Sequence, residues 1–101
     1  MAKRLKWTEF STSQRKDILE YWNNRNKSKE YSRKLNKLFD KIALMILEHP
    51  EIGVKISSSE CRGRLIKDYY IIYINSEKSI EILSFFYTRQ NPEKLGKILG
   101  L

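Results

Sequence analysis

Two stretches hold most of the residues that could do chemistry in this 101-residue chain. The first is Cys61-Arg62-Gly63-Arg64-Leu65-Ile66-Lys67. On a strand, Arg62 and Arg64 are two apart and point the same way. A guanidinium suits bidentate contact with phosphate, so Arg62, Arg64 and Lys67 are candidate nucleic-acid ligands, with Lys55 as a further cation upstream. The competing reading is an edge strand kept soluble by charge. The second stretch is Phe85-Phe86-Tyr87-Thr88-Arg89-Gln90-Asn91-Pro92. Its apolar start would deliver Tyr87, Arg89, Gln90 and Asn91 to the C-terminal edge of a strand. Tyr can stack on a base or take part in proton transfer, and Arg can stabilise a phosphate in its transition state. Gln90 and Asn91 also suit a turn, and Arg89 a solvated surface.

The remaining chemistry is sparse. There is no Gly-rich phosphate loop, paired-carboxylate site or nucleophile with its base, and no cofactor is expected. His49 precedes Pro50 at an expected helix end, which suits a structural role. Cys61 reads as a small buried or half-buried residue rather than a nucleophile. One Cys and one His allow neither an internal disulfide nor a zinc centre, so no metal is expected.

Elements must position these residues, and the length sets their scale. One domain spanning 1–101 is expected. Apolar residues make up 41% of the chain, enough for one core, and this sets it apart from disordered chains of equal charge. The formal net charge is +8, which points to an anionic partner. The excess is uneven: residues 1–50 hold 12 basic and 6 acidic side chains, residues 51–101 hold 8 and 6. Solubility of helix faces accounts for much of the first half. No apolar run approaches the roughly 20 residues of a membrane span, and residues 1–7 lack the apolar stretch of a signal peptide. A cytoplasmic protein without membrane contact is expected.

Residues 3–7 alternate, with Leu5 and Trp7 on one side, and predict a first strand. Thr8 to Ser13 is rich in N-cap types and predicts a helix start, with Gln14, Ile18, Tyr21 and Trp22 on one face and Asn23, Asn24 and Asn26 at its end. From Ser28, a candidate N-cap, Tyr31, Leu35, Leu38, Phe39, Ile42 and Ile46 recur at helical spacing. Glu30, Lys34, Lys37 and Lys41 lie opposite, and Pro50 and Gly53 close the helix. Val54 to Ser59 reads as strand or loop. Arg62 to Lys67 reads as a strand leading into Tyr69 to Ile74, whose aromatic and β-branched residues favour a strand. Asn75 to Lys78 is a hairpin turn. A last, central strand runs from Ser79 to about Tyr87 and is dominated by Ile80, Leu83 and Phe86. Pro92 opens a short tail helix, Glu93 to Leu99. The sum is a two-layer α+β fold: an N-terminal strand and a helical hairpin packed on a small antiparallel sheet, β-α-α-β-β-β, with a short C-terminal helical tail.

This order carries a resemblance. A Trp-ended strand leads to a helix with Tyr21-Trp22, then a helix ending Glu48-His49-Pro50-Glu51-Ile52-Gly53. Tyr69-Tyr70-Ile71-Ile72-Tyr73 and Ile80-Glu81-Ile82-Leu83 follow, leading to Arg89-Gln90-Asn91-Pro92. Over roughly residues 3 to 95 the chain resembles the RelE/ParE superfamily, the toxins of bacterial type II toxin–antitoxin modules, often called plasmid stabilisation proteins. The resemblance implies a co-encoded antitoxin as partner, covering the sheet and groove. It also implies growth arrest, with ribosome-dependent mRNA cleavage as the first expectation and gyrase inhibition as the alternative. RelE-like members cleave mRNA in the ribosomal A site; ParE-like members inhibit DNA gyrase without being nucleases. A degenerate binding module without toxicity is a third reading.

Under the ribonuclease reading, the resemblance makes Arg89, Tyr87 and Arg62 catalytic candidates, with Tyr87 near the attacked 2′-hydroxyl. Arg62, Arg64, Lys67, Arg89, Gln90 and Lys55 would contact RNA. Tyr70 stands where RelE-like ribonucleases usually carry an Arg. ParE-like members also commonly carry that Arg, so the substitution leaves both routes open.

Overall fold

Thr8 ties the first strand to the first helix. The computed structural model describes residues 3–56 and 60–88. In it, β1 (Arg4–Trp7) is followed by α1 (Glu9–Asn26), α2 (Glu30–Glu48), β2 (Val54–Lys55), β3 (Cys61–Ile66), β4 (Tyr69–Asn75) and β5 (Ser79–Tyr87). The Thr8 hydroxyl caps α1 by accepting the Ser11 N–H at 3.1 Å and donates to the Leu83 carbonyl at 3.1 Å. Its own N–H donates to the Ile82 carbonyl, so one residue ends the β1–β5 ladder and starts the helix. The asparagines near 23–26 lie inside α1, whose turn comes at Lys27, in the left-handed region at φ 49°. Ser28 sits one residue before the α2 cap position, Lys29, and its hydroxyl accepts the Glu30 N–H. The predicted tail helix, Glu93 to Leu99, lies outside the described residues.

The five strands form one sheet in the order β1-β5-β4-β3-β2. β1 runs parallel to β5 and every other pair is antiparallel. The helical hairpin covers one face. Leu35, Phe39, Ile42, Ala43 and Ile46 of α2 are buried against Ile66, Tyr69, Ile71, Tyr73, Ile80, Ile82 and Phe85. This is the helical stripe expected from the sequence, and burial of each such side chain contributes about 1.5–3 kcal/mol. Ile18, Leu19 and Trp22 bring α1 onto the same core. Arg15 joins the helices: it donates to the Asn36 side chain, pairs with Asp40 at 2.8 Å and lies over the Trp7 ring at 4.8 Å.

Burial along β5 does not follow a simple alternation. Ile80, Ile82 and Phe85 are buried, whereas Leu83 and Phe86 are half-exposed. The cause is an irregularity in the ladder: Ile72 pairs with Ser84 but Tyr73 pairs with Ile82. Leu83 is the extra residue in β5, and it shifts the alternation by one position, so the core face runs Ile80, Ile82, Phe85 rather than on to Ser84 and Phe86.

Candidate functional site

Pairing register decides where the candidate residues point. In an antiparallel pair, directly opposed residues share a face. Arg62 faces Tyr73 and Arg64 faces Ile71, so both arginines lie on the helix side of the sheet. The alternation expected for them holds, but the face is the covered one. Arg62 is taken up locally: its guanidinium donates to the Gly53 carbonyl at 2.9 Å and to the Glu51 carbonyl at 3.4 Å. Arg64 is half-buried, with its Nε buried and without a hydrogen-bond partner. Lys55 pairs with Arg62 across the β2–β3 edge and is exposed.

Lys67 does not join this group. It occupies the β3–β4 turn at φ 55°, about 16 Å of strand from Arg62 at ~3.3 Å per residue. That turn lies beside the end of β5, where the Thr88 N–H donates to the Asp68 carbonyl at 2.8 Å. Tyr87 is there too, opposite Tyr69, their rings stacked at 5.1 Å. Arg89 and Gln90 lie outside the described residues. The fold therefore divides the described candidate residues: Lys55 and Arg62 at one end of β3, Lys67 and the Tyr87 ring at the other, with Arg64 between.

The turn that receives Arg62 is built around Tyr73. This ring is wholly buried, and its hydroxyl accepts the Gly53 N–H at 3.0 Å while donating to the Pro50 carbonyl at 2.6 Å. Only glycine fits at 53, since a Cβ there would lie 2.6 Å from the Tyr73 hydroxyl. Burial raises the Tyr73 phenol above its usual 10.0, opposed by the Gly53 hydrogen bond and the Arg62 charge. Burial likewise raises Tyr69, whose hydroxyl accepts the Trp22 indole N–H at 2.9 Å. His49 is the residue at the C-terminal cap of α2, where its backbone N–H donates to the Met45 carbonyl. Cys61 is half-buried, as expected.

Two features escape a residue-by-residue search for chemistry. The first is the face of the sheet opposite the helices. Gly63, Leu65, Tyr70, Ile72, Ile74 and Phe86 occupy it by alternation, and Leu65 is 48% exposed. The available signal was β4 itself, apolar in both phases, which requires a cover on both faces. The second is a groove of about 350 Å³ between α1 and the end of β5, lined by Gln14, Asp17, Ile18, Tyr69, Phe85 and Tyr87. No local signal joins residue 17 to residue 87; only the packing of α1 on the sheet does so.

A helical hairpin on one face of a sheet whose other face carries half-exposed apolar side chains among the described residues defines a small α+β domain. The sequence identifies its family. Residues 5–92 match the family of the ParE toxin of type II toxin–antitoxin systems, parDE, and the chain belongs to that family. Membership implies an antitoxin partner. Among solved structures, the chain is similar to one described as the chromosomal ParDE TA system from P. aeruginosa. The TM-score is 0.72 at 15% identity, covering 85% of this chain and 96% of that one, a likeness of fold. No curated protein sequence matches the chain. Among the described residues, no helix is long and apolar enough to cross a membrane.

Proposed function

We propose that this ParE-type toxin arrests growth by binding a protein target, DNA gyrase, and not by cleaving mRNA. One observation carries the reading: among the described residues the candidate cations do not converge, while the sheet face opposite the helices is apolar. Cleaving RNA at a 2′-hydroxyl needs a base for that hydroxyl and clustered donors for the phosphorane. Arg62 is bound to backbone carbonyls of the 50–53 turn, and Lys67 lies at the far end of its strand. A face carrying Leu65, Tyr70, Ile72 and Phe86 instead suits the apolar centre of a protein interface. The antitoxin is placed on that same face, so neutralisation follows from competition for one surface.

A ribosome-dependent ribonuclease is the second reading, favoured by Tyr87, a half-buried ring at the end of β5 two residues before Arg89. Two assays on the purified toxin separate the readings. Under the gyrase reading, supercoiling is inhibited and primer extension on translated mRNA shows no codon-positioned cuts. Intact supercoiling beside such cuts overturns it.

A further inference from the structure

The groove between α1 and β5 carries an assignment of its own. The free edge of β5 is closed in steps by the chain preceding it. Thr8 takes the Ile82 and Leu83 carbonyls, and the Gln14 side chain then brackets Phe85, accepting its N–H at 2.7 Å and donating to its carbonyl at 3.2 Å. Residues two apart on a strand offer their N–H and C=O to the same edge. Tyr87 therefore presents its backbone donor and acceptor to that edge, one step beyond the reach of Gln14. The next residues on α1 there are Asp17, Ile18 and Tyr21. Together with Tyr69 and Tyr87 they line a further space of about 360 Å³, which shares Asp17, Ile18, Tyr69 and Tyr87 with the one lined by Gln14 and Phe85. Tyr21 is 49% exposed, and Asp17 is exposed. The two described ion pairs of the protein, Arg15–Asp40 and Lys34–Glu30, leave the Asp17 carboxylate unpaired.

The occupant follows from these groups. Phosphate and nucleotide ligands are disfavoured by a carboxylate at the rim, despite the net charge of +8. Aromatic faces beside a carboxylate attract a cation, and a planar guanidinium both stacks on tyrosine and pairs with carboxylate. A strand edge with one unpaired residue accepts the backbone of an extended peptide. We propose that this groove binds an arginine side chain carried on an extended segment of a protein partner. The backbone of that segment pairs with Tyr87, the guanidinium lies against the tyrosine rings, and Asp17 takes its charge. The assignment is independent of whether the toxin acts on gyrase or on mRNA.

The test uses the whole chain and the Trp22 indole N–H as reporter, since Trp22 donates to Tyr69 and touches the Tyr21 ring at 5.1 Å. The probes are acetyl-Val-Arg-Val-amide and its citrulline counterpart, which keeps the shape and loses the charge. Titration followed by 1H–15N NMR is expected to move the Trp22 indole peak, with the arginine peptide binding about tenfold tighter. Asp17→Asn should bring that preference to about twofold or less, while Glu20→Gln, on the same helix but outside the groove, leaves it unchanged. Equal binding of the two peptides overturns the proposal, as does an unmoved Trp22 peak. So does tighter binding of uridine monophosphate than of the arginine peptide by the unsubstituted protein, because that result makes the groove a nucleotide site.

Discussion

Arg62 is the residue on which a catalytic and a structural account give opposite results. Arg62→Met keeps most of the side-chain stem and removes the guanidinium. What is lost is a hydrogen bond of 2.9 Å to the Gly53 carbonyl and a longer one of 3.4 Å to the Glu51 carbonyl. A bond from a charged donor is worth about 1.5–3 kcal/mol, and partial exposure places this one at the low end. The 3.4 Å contact adds little. Gly53 is buried, so its carbonyl is left without that donor, which brings the expected loss to about 2 kcal/mol. For a domain of this size that lowers the melting temperature by about 10 °C. Urea denaturation with circular dichroism measures it. Growth arrest on expression without antitoxin should persist at a temperature where the variant is folded. A midpoint within about 0.5 kcal/mol of the parent, together with loss of growth arrest, would refute the structural account and return Arg62 to the site.

The same turn yields a second expectation. Tyr73→Phe removes the acceptor of the Gly53 N–H and the donor to Pro50, leaving a buried amide unpaired at a cost of about 2–3 kcal/mol in urea unfolding. Because Tyr73 and Arg62 hold one turn, the double variant should lose less than the two single losses added together; strict additivity would show the contacts independent. Alkaline pH should weaken the fold. Tyr69 and Tyr73 both titrate above 10.0 in the folded state because of burial, so the unfolded chain gives up these protons first. Stability is then fully present below pH 10 and falls as pH rises from there toward the folded values, read as a declining denaturation midpoint. A flat profile above pH 10 contradicts the burial argument. Leu65→Glu places a charge on the sheet face opposite the helices at an exposed position, so stability should change by less than about 1 kcal/mol. Co-expressed antitoxin should then fail to restore growth if the variant is still toxic; full protection would move the antitoxin off this face.

Much of the fold was legible because its determinants are periodic and local. The α2 stripe from Tyr31 to Ile46 reads directly as a buried helix face, and Leu35, Phe39, Ile42 and Ile46 are buried as that spacing requires. The Thr8 cap, the turn after Asn75 and the central position of β5 were readable for the same reason, since each follows from residue types within a few positions. The candidate site was less legible. Arg62 and Arg64 were correctly placed on one side of a strand, but the identity of that side came from pairing with Tyr73 and Ile71. That Ile82 and Phe85 share the core face was not legible, because an extra residue in a strand leaves no mark in composition.

The sequence by itself determined the element order, the apolar stripe of α2, the net charge and the family, all carried by residue type and near spacing. Tertiary structure decided which face each strand residue occupies, that Arg62 serves a turn, and that Asp17 and Tyr21 meet Tyr87 across 65 or more intervening positions. Such contacts depend on register and on the docking of α1, which are properties of the assembled sheet. Each also changes the chemistry available to a side chain: Arg62 meets carbonyls at 2.9 and 3.4 Å, and a tyrosine at the end of β5 faces a carboxylate from the first helix.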